Sequence, residues 1–240
     1  MGGEFETIGG DISLAEAHSA LSWWLEAGVD IAAAEEPRDW LAPAKAKSPA
    51  PSEAPANLVQ PTQETLAELQ QWLATSVQLP LAGPAAKRVL PHGPEQAAIM
   101  LLSDSVTVED AAAARPIGGA AWELTVRMLA AIGIAADDAY SASLSCFHSP
   151  GARMTAEERA ACAKIAKRHI NLVKPRRLLL FGGGASQALL DKPLPQARGH
   201  VHRIEGVRAV ATFHPRDLIK QPSNKALAWK DLLLLMEDES

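Results

Sequence analysis

His214 is the residue whose type and setting most directly suggest chemistry. It stands in the run Ala211-Thr212-Phe213-His214-Pro215-Arg216-Asp217-Leu218-Ile219-Lys220. Residues 207–212 ahead of it are mostly apolar and partly β-branched, the pattern of a short buried strand. Pro215 holds His214 out of helical geometry. An imidazole at a strand end, on a rigid turn, sits where α/β proteins keep their chemistry. Leu218 and Ile219 are expected on a protruding loop, between the charges of Arg216 and Lys220. A helix is predicted over 223–235, with Ser223 able to cap its first turn.

Other residue types offer less. Cys146 and Cys162 are the two cysteines of the chain, too few for a disulfide framework. His148 lies near Cys146, but no fourth zinc ligand is evident. His200 and His202 share a face of a strand and read as a solvated pair or a weak metal site. Gly182-Gly183-Gly184 follows a predicted strand and precedes a helix, as phosphate cradles do. It lacks the Lys-Ser/Thr of a P-loop. It reads as a tight turn, at most touching one phosphate.

The elements that must position these residues alternate in type. Helices are predicted over 62–75, 120–132, 155–172, 185–190 and 223–235. Thr155 with Glu158 makes a capping box, and Gly133 is a natural stop. Strands are predicted over 97–102, 139–145 and 177–181, with one or two more over 203–212. This order predicts a three-layer α/β/α sandwich with a mostly parallel central sheet. Residues 13–28 form an amphipathic pattern, and residues 42–61, rich in Ala, Pro and Ser, read as a linker. The expected organisation is a helical extension over 1–41, a linker over 42–61 and one domain over 62–240.

The chain of 240 residues is 48% hydrophobic, enough for a packed core, and carries a net charge of −5. That balance excludes a general polyanion binder but hides an asymmetry. Residues 1–150 hold 7 Lys and Arg against 19 Asp and Glu, whereas residues 151–240 hold 16 against 9. A basic C-terminal part suits a phosphate-contacting face. No apolar run long enough for a membrane span appears, and the start is acidic, unlike a signal peptide. A cytoplasmic protein is the simplest expectation.

The segment around His214 resembles the last motif of uracil-DNA glycosylases, in particular the bacterial iron–sulfur type. His214, Pro215, Leu218, Pro222, Lys225, Trp229, Asp231 and Leu232 match it, with Ile219 for Leu and Lys220 for Arg. Pro116, Gly118 and Gly119, then the run from Met128 to Gly133, look like an earlier motif. Glu157, Glu158, Cys162, Lys174, Pro175, Leu180, Gly182 and Ala185 look like a third, and Arg198-Gly199 a fourth.

The resemblance implies a fold and a set of roles. Such an enzyme flips a base out of DNA and splits its N-glycosidic bond. His214 would donate to the leaving base, Asp104 would position water, and Leu218, with Ile219, would wedge the duplex. Arg216, Lys220, Lys225 and Arg198 would contact DNA. The pattern is degenerate elsewhere. Ser103-Asp104-Ser105-Val106-Thr107 stands for the first motif and keeps only its carboxylate. Ile117 replaces the stacking Phe, and Ala142 or Ser143 stands where an Asn would read the base. Cys146 and Cys162 fall at two of four cluster ligands, with Ser76 and Leu79 at the other two, so no iron–sulfur cluster is expected.

Two classes of function follow from the resemblance. One is a DNA repair hydrolase acting on uracil or a related damaged base. The other is a DNA-binding relative without the chemistry, recruiting a repair or replication partner through residues 1–41. Either implies DNA as partner and a bacterial, nucleoid-associated location.

Overall fold

A computed structural model describes residues 61–237, together with 18, 19, 22 and 23. The amphipathic pattern over 13–28 falls almost wholly outside the described residues, and the linker over 42–61 all but its last residue. The central sheet has the order β3-β2-β5-β7-β6. Its strands are β2 (Ile99–Ser103), β3 (Ala139–Ser143), β5 (Arg177–Phe181), β6 (Val201–Ile204) and β7 (Val207–Thr212). All neighbours are parallel except β6, which pairs antiparallel with β7. A separate two-stranded ribbon joins β1 (Lys87–Arg88) to β4 (Phe147–His148).

Parallel strands need crossovers, and helices supply them on both faces. Along β2, Met100 and Leu102 pack with α1 (Leu66–Thr75), α4 (Ala156–Val173) and α5 (Gly182–Leu190). Ile99 and Leu101 pack on the opposite face with α3 (Gly119–Ala131) and α8 (Lys225–Met236). In β5, Leu178 and Leu180 take the first face, and Leu179 and Phe181 the second. Strands buried on both faces need no polar alternation, which is why these read as continuous apolar runs. The three-layer α/β/α sandwich expected from the sequence is the observed architecture.

Local signals set the helix ends. Thr155 and Glu158 exchange the two bonds of a capping box at the start of α4, and Lys174 closes it in the left-handed conformation at φ 50°. Gly133, at φ 74°, follows α3 as expected. Glu205 and Gly206, both at positive φ, make the tight turn between β6 and β7.

Three expectations are corrected. The glycine triplet is not a loop: α5 starts at Gly182, directly after β5, because Gly182 at φ 90° absorbs the turn. Ser223 caps nothing, since Pro222–Asn224 form a short 3-10 turn before α8 begins at Lys225. Residues Pro215–Lys220 form a helix, α7, rather than a protruding loop. Pro at the first helical position is favoured, because its missing N–H has no partner there anyway. α2 (Val108–Ala113) and the short α6 (Leu194–Ala197) were not foreseen.

One buried carboxylate fixes the end of β7. Asp231 on α8 accepts from Thr212 Oγ1 at 2.8 Å, from Arg198 at 2.9 Å and from the Gly199 N–H at 3.1 Å. Arg198, expected to face DNA, is therefore committed inward, with its guanidinium also over the Phe213 ring. Removing the carboxylate leaves a buried guanidinium unpaired, which costs roughly 3–5 kcal/mol. Asp231→Ala is expected to lower the urea midpoint accordingly, while Asp137→Ala at an exposed site stays within about 0.5 kcal/mol.

Candidate active site at the carboxyl ends of the strands

The register of the sheet brings separate segments to one edge. Ser103 lies opposite Phe181, and Phe181 opposite Thr212. The residues that follow, Asp104, Gly182 and Phe213-His214, therefore meet beyond the carboxyl ends of β2, β5 and β7. That edge is where ligands bind in open α/β sheets.

His214 has an extended backbone and caps α7 with its own ring: Nδ1 accepts the Arg216 N–H at 3.1 Å. A ring nitrogen that accepts carries no proton, so in the neutral ring the proton sits on Nε2. Nε2–H then donates to Ser103 Oγ at 3.0 Å. Burial, helped by the Arg216 charge, pushes the imidazole pKa down to about 2, so the ring is neutral at working pH. The residue is only 1% exposed. Folding back to cap α7 has drawn the ring inward. The same tautomer argues against Ser103 as a nucleophile, because a protonated Nε2 offers no lone pair to its hydroxyl.

Arg216 also turns inward. Its guanidinium donates to Asp104 Oδ1 at 2.8 Å, to the Ser105 carbonyl at 3.0 Å and to Ser103 Oγ at 3.4 Å, and lies 3.9 Å from Asp110. It is 19% exposed in its side chain. Asp104 is correspondingly occupied: it accepts from the Ser105 N–H at 2.7 Å as well as from Arg216. Burial raises its pKa against the pull of Arg216. Its carboxylate rests on the glycine turn, where a Cβ on Gly182 would stand 2.6 Å from Oδ2. A Cβ on Gly184 would stand 2.8 Å from that of Asp104. Gly182 and Gly184 thus make room for the Asp104 side chain, a role the sequence reading did not give them.

Beside His214 opens a cleft of about 300 Å³, lined by Thr107, Val108, Glu109, Asp110, Ala121, Arg216 and Lys220. That volume is at the lower end for small-ligand sites. Asp110 is buried and accepts from the Thr107 N–H and hydroxyl and from the Gly118 N–H at 2.6 Å. The sequence reading missed it, although Thr107-x-x-Asp110 is a capping-box signature.

Several expected site residues lie elsewhere. Ile117 is fully buried in the core and offers no stacking face. Ala142 is buried, and Ser143 lines a different, narrow cavity with Cys146, Cys162 and His169. Leu218, at 1% exposure, packs among Leu124, Met128 and Leu232, whereas Ile219 is 43% exposed. The protruding apolar side chain is therefore Ile219, because the helical turn swings Leu218 onto α3. Lys220 and Lys225 are exposed.

The model of the uracil DNA glycosylase superfamily matches residues 90–233. This chain belongs to that superfamily. It is 25% identical over 154 residues to a type-4 uracil-DNA glycosylase of Pyrobaculum aerophilum, covering 60% of this chain and 79% of that one. A second type-4 uracil-DNA glycosylase, of Archaeoglobus fulgidus, is 25% identical over 141 residues, covering 54% and 71%. Among the described residues, no helix is long and apolar enough to cross a membrane.

The superfamily's iron–sulfur members raise the question of a cluster. Cys146 and Cys162 line one cavity with Leu79, and burial pushes both thiols up to about 12. Ser76, the other replaced position, spends its hydroxyl on the Gln78 N–H. With a serine and a leucine at the other two positions, these residues supply two sulfur ligands where a four-thiolate site takes four. His169, in the same cavity wall, is hydrogen-bonded through Nε2 to the Tyr140 hydroxyl at 2.8 Å, and Gln70 donates to that hydroxyl. Burial holds the His169 ring neutral, with its pKa lowered to about 4.

Both buried rings have folded pKa values below the ordinary 6.5 of the unfolded chain. The unfolded state then binds more protons, so stability is full above pH 6.5 and falls as the pH drops through and below it. The slope is at most about 1.4 kcal/mol per pH unit for each ring. In His214→Gln, the loss of stability between pH 6 and pH 4 should be shallower than in wild type by up to that amount per unit. Urea midpoints at several pH values measure it.

Proposed function

We propose that this protein hydrolyses the N-glycosidic bond of uracil or a related damaged base in DNA, with His214 as donor to the leaving base. The observation that carries the reading is the tautomer: a neutral ring whose Nε2–H is fixed as a donor beside the cleft. Negative charge grows on the base as its bond to the sugar breaks, and a preorganised donor stabilises it. In this reading Ser103 Oγ holds the place that a base carbonyl takes when the nucleotide enters. Arg216 leaves Asp104 for a DNA phosphate, an exchange between two anionic partners. Ile219 fills the gap left by the extruded base, and Lys220 and Lys225 meet the backbone.

A second reading has its own support. The Ser103–His214 bond and the Arg216 bridge satisfy the donor internally. A relative that binds DNA without cutting it would have this arrangement permanently closed.

Oligonucleotides carrying one uracil, single- and double-stranded, decide between them. Base release is read as alkali-labile strand breaks. Wild type is expected to release uracil, and His214→Ala to be slower by roughly 100-fold or more, as for loss of one transition-state donor. Equal release by the variant removes His214 from the mechanism. DNA binding without release of uracil or other damaged bases favours the second reading.

A further inference from the structure

Hydrolysis at this edge of the sheet needs a carboxylate that meets the sugar, and four stand nearby, of which Asp217, whose charge reaches Asp104, does not line the cleft. Asp104 does not line the cleft: its carboxylate is held by the Ser105 N–H against Gly182, and by Arg216 until DNA draws that side chain away. Asp110 is buried and spent on Thr107 and Gly118. Glu109 differs from both. It is exposed, lines the same cleft as His214, and carries no hydrogen bond or ion pair among the described residues. Its place is fixed by its neighbour. Asp110 ties α2 to the Gly118 N–H at 2.6 Å, and a Cβ on Gly118 would stand 2.8 Å from the Glu109 carbonyl. Only a glycine lets the two segments approach so closely. The Glu109 carboxylate then lies over Gly119, with Oε2 3.6 Å from where a Cβ would stand.

We propose that Glu109, not Asp104, is the carboxylate that faces the deoxyribose and its attacking water. This assignment rests on the reading of the cleft as the place that receives an extruded nucleotide. The C1′–N bond breaks, and its electron pair leaves on the base, where His214 Nε2–H donates a hydrogen bond. The sugar becomes cationic and is stabilised by the Glu109 charge. Water bonds to C1′ and passes its proton to Glu109, from which it reaches the departing base anion through solvent. The products are a neutral free base and an abasic sugar, with no net proton gained or lost.

The test uses the full chain and DNA carrying one abasic-site analogue, either a cationic pyrrolidine or a neutral tetrahydrofuran. Binding is followed by fluorescence anisotropy. Wild type is expected to prefer the cationic analogue by about tenfold or more, as enzymes prefer mimics of the transition state. Glu109→Gln, an isosteric change at an exposed site, should bring that ratio to about one and leave affinity for the neutral analogue unaltered. Asp104→Asn should keep the preference. A preference that survives in Glu109→Gln overturns the assignment, as does its absence in wild type. A Glu109-dependent preference without any uracil release would sustain Glu109 and sink the hydrolysis reading instead.

Discussion

The hydrogen bond from the Arg216 N–H to His214 Nδ1 is the contact on which the rest of the site depends. It does two things at once. It caps α7, whose first N–H groups would otherwise lack partners, and it assigns the imidazole proton to Nε2. Pro215 makes the cap economical, because the first helical residue has no N–H to satisfy and its ring fixes the entry angle. A histidine used this way cannot also swing freely into solvent. Its burial and its fixed tautomer are two sides of the same local structure.

Charge around the ring is arranged as a closed circuit. Arg216 sits between Asp104 and Asp110 and also reaches Ser103 Oγ, the hydroxyl that meets the His214 donor. The Asp104 side chain has room only because Gly182 and Gly184 lack a Cβ. Glycines that would be taken for a nucleotide motif are thus explained by a carboxylate from another strand. The second cavity follows a different logic. Cys146, Cys162 and His169 are there kept neutral by apolar surroundings, and the cavity is lined chiefly by leucine, proline, alanine and isoleucine.

Much of the fold was legible because its signals are local. The boundaries of β5 were read to the residue, the Thr155–Glu158 box opened α4 where predicted, and Gly133 followed α3. The site was less legible because its contacts are not local. Nothing near Arg216 in sequence announces a partner 112 positions earlier. Leu218 and Ile219 are neighbours of equal hydrophobicity, and a helix rather than a loop decides which is buried. The partner of Arg198 is likewise distant in sequence, since Asp231 reaches it from α8. Membership of the superfamily, by contrast, rests on order and spacing along the chain, which survive when individual pocket residues change.

Direct observation of the His214 ring nitrogens tests the central claim most sharply. In ¹⁵N-labelled protein near neutral pH, long-range proton–nitrogen correlations report which ring nitrogen is protonated. The prediction is a protonated Nε2 and an unprotonated, accepting Nδ1, in the free protein. A proton on Nδ1 would contradict it, and with it the assignment of His214 as the donor to a leaving base.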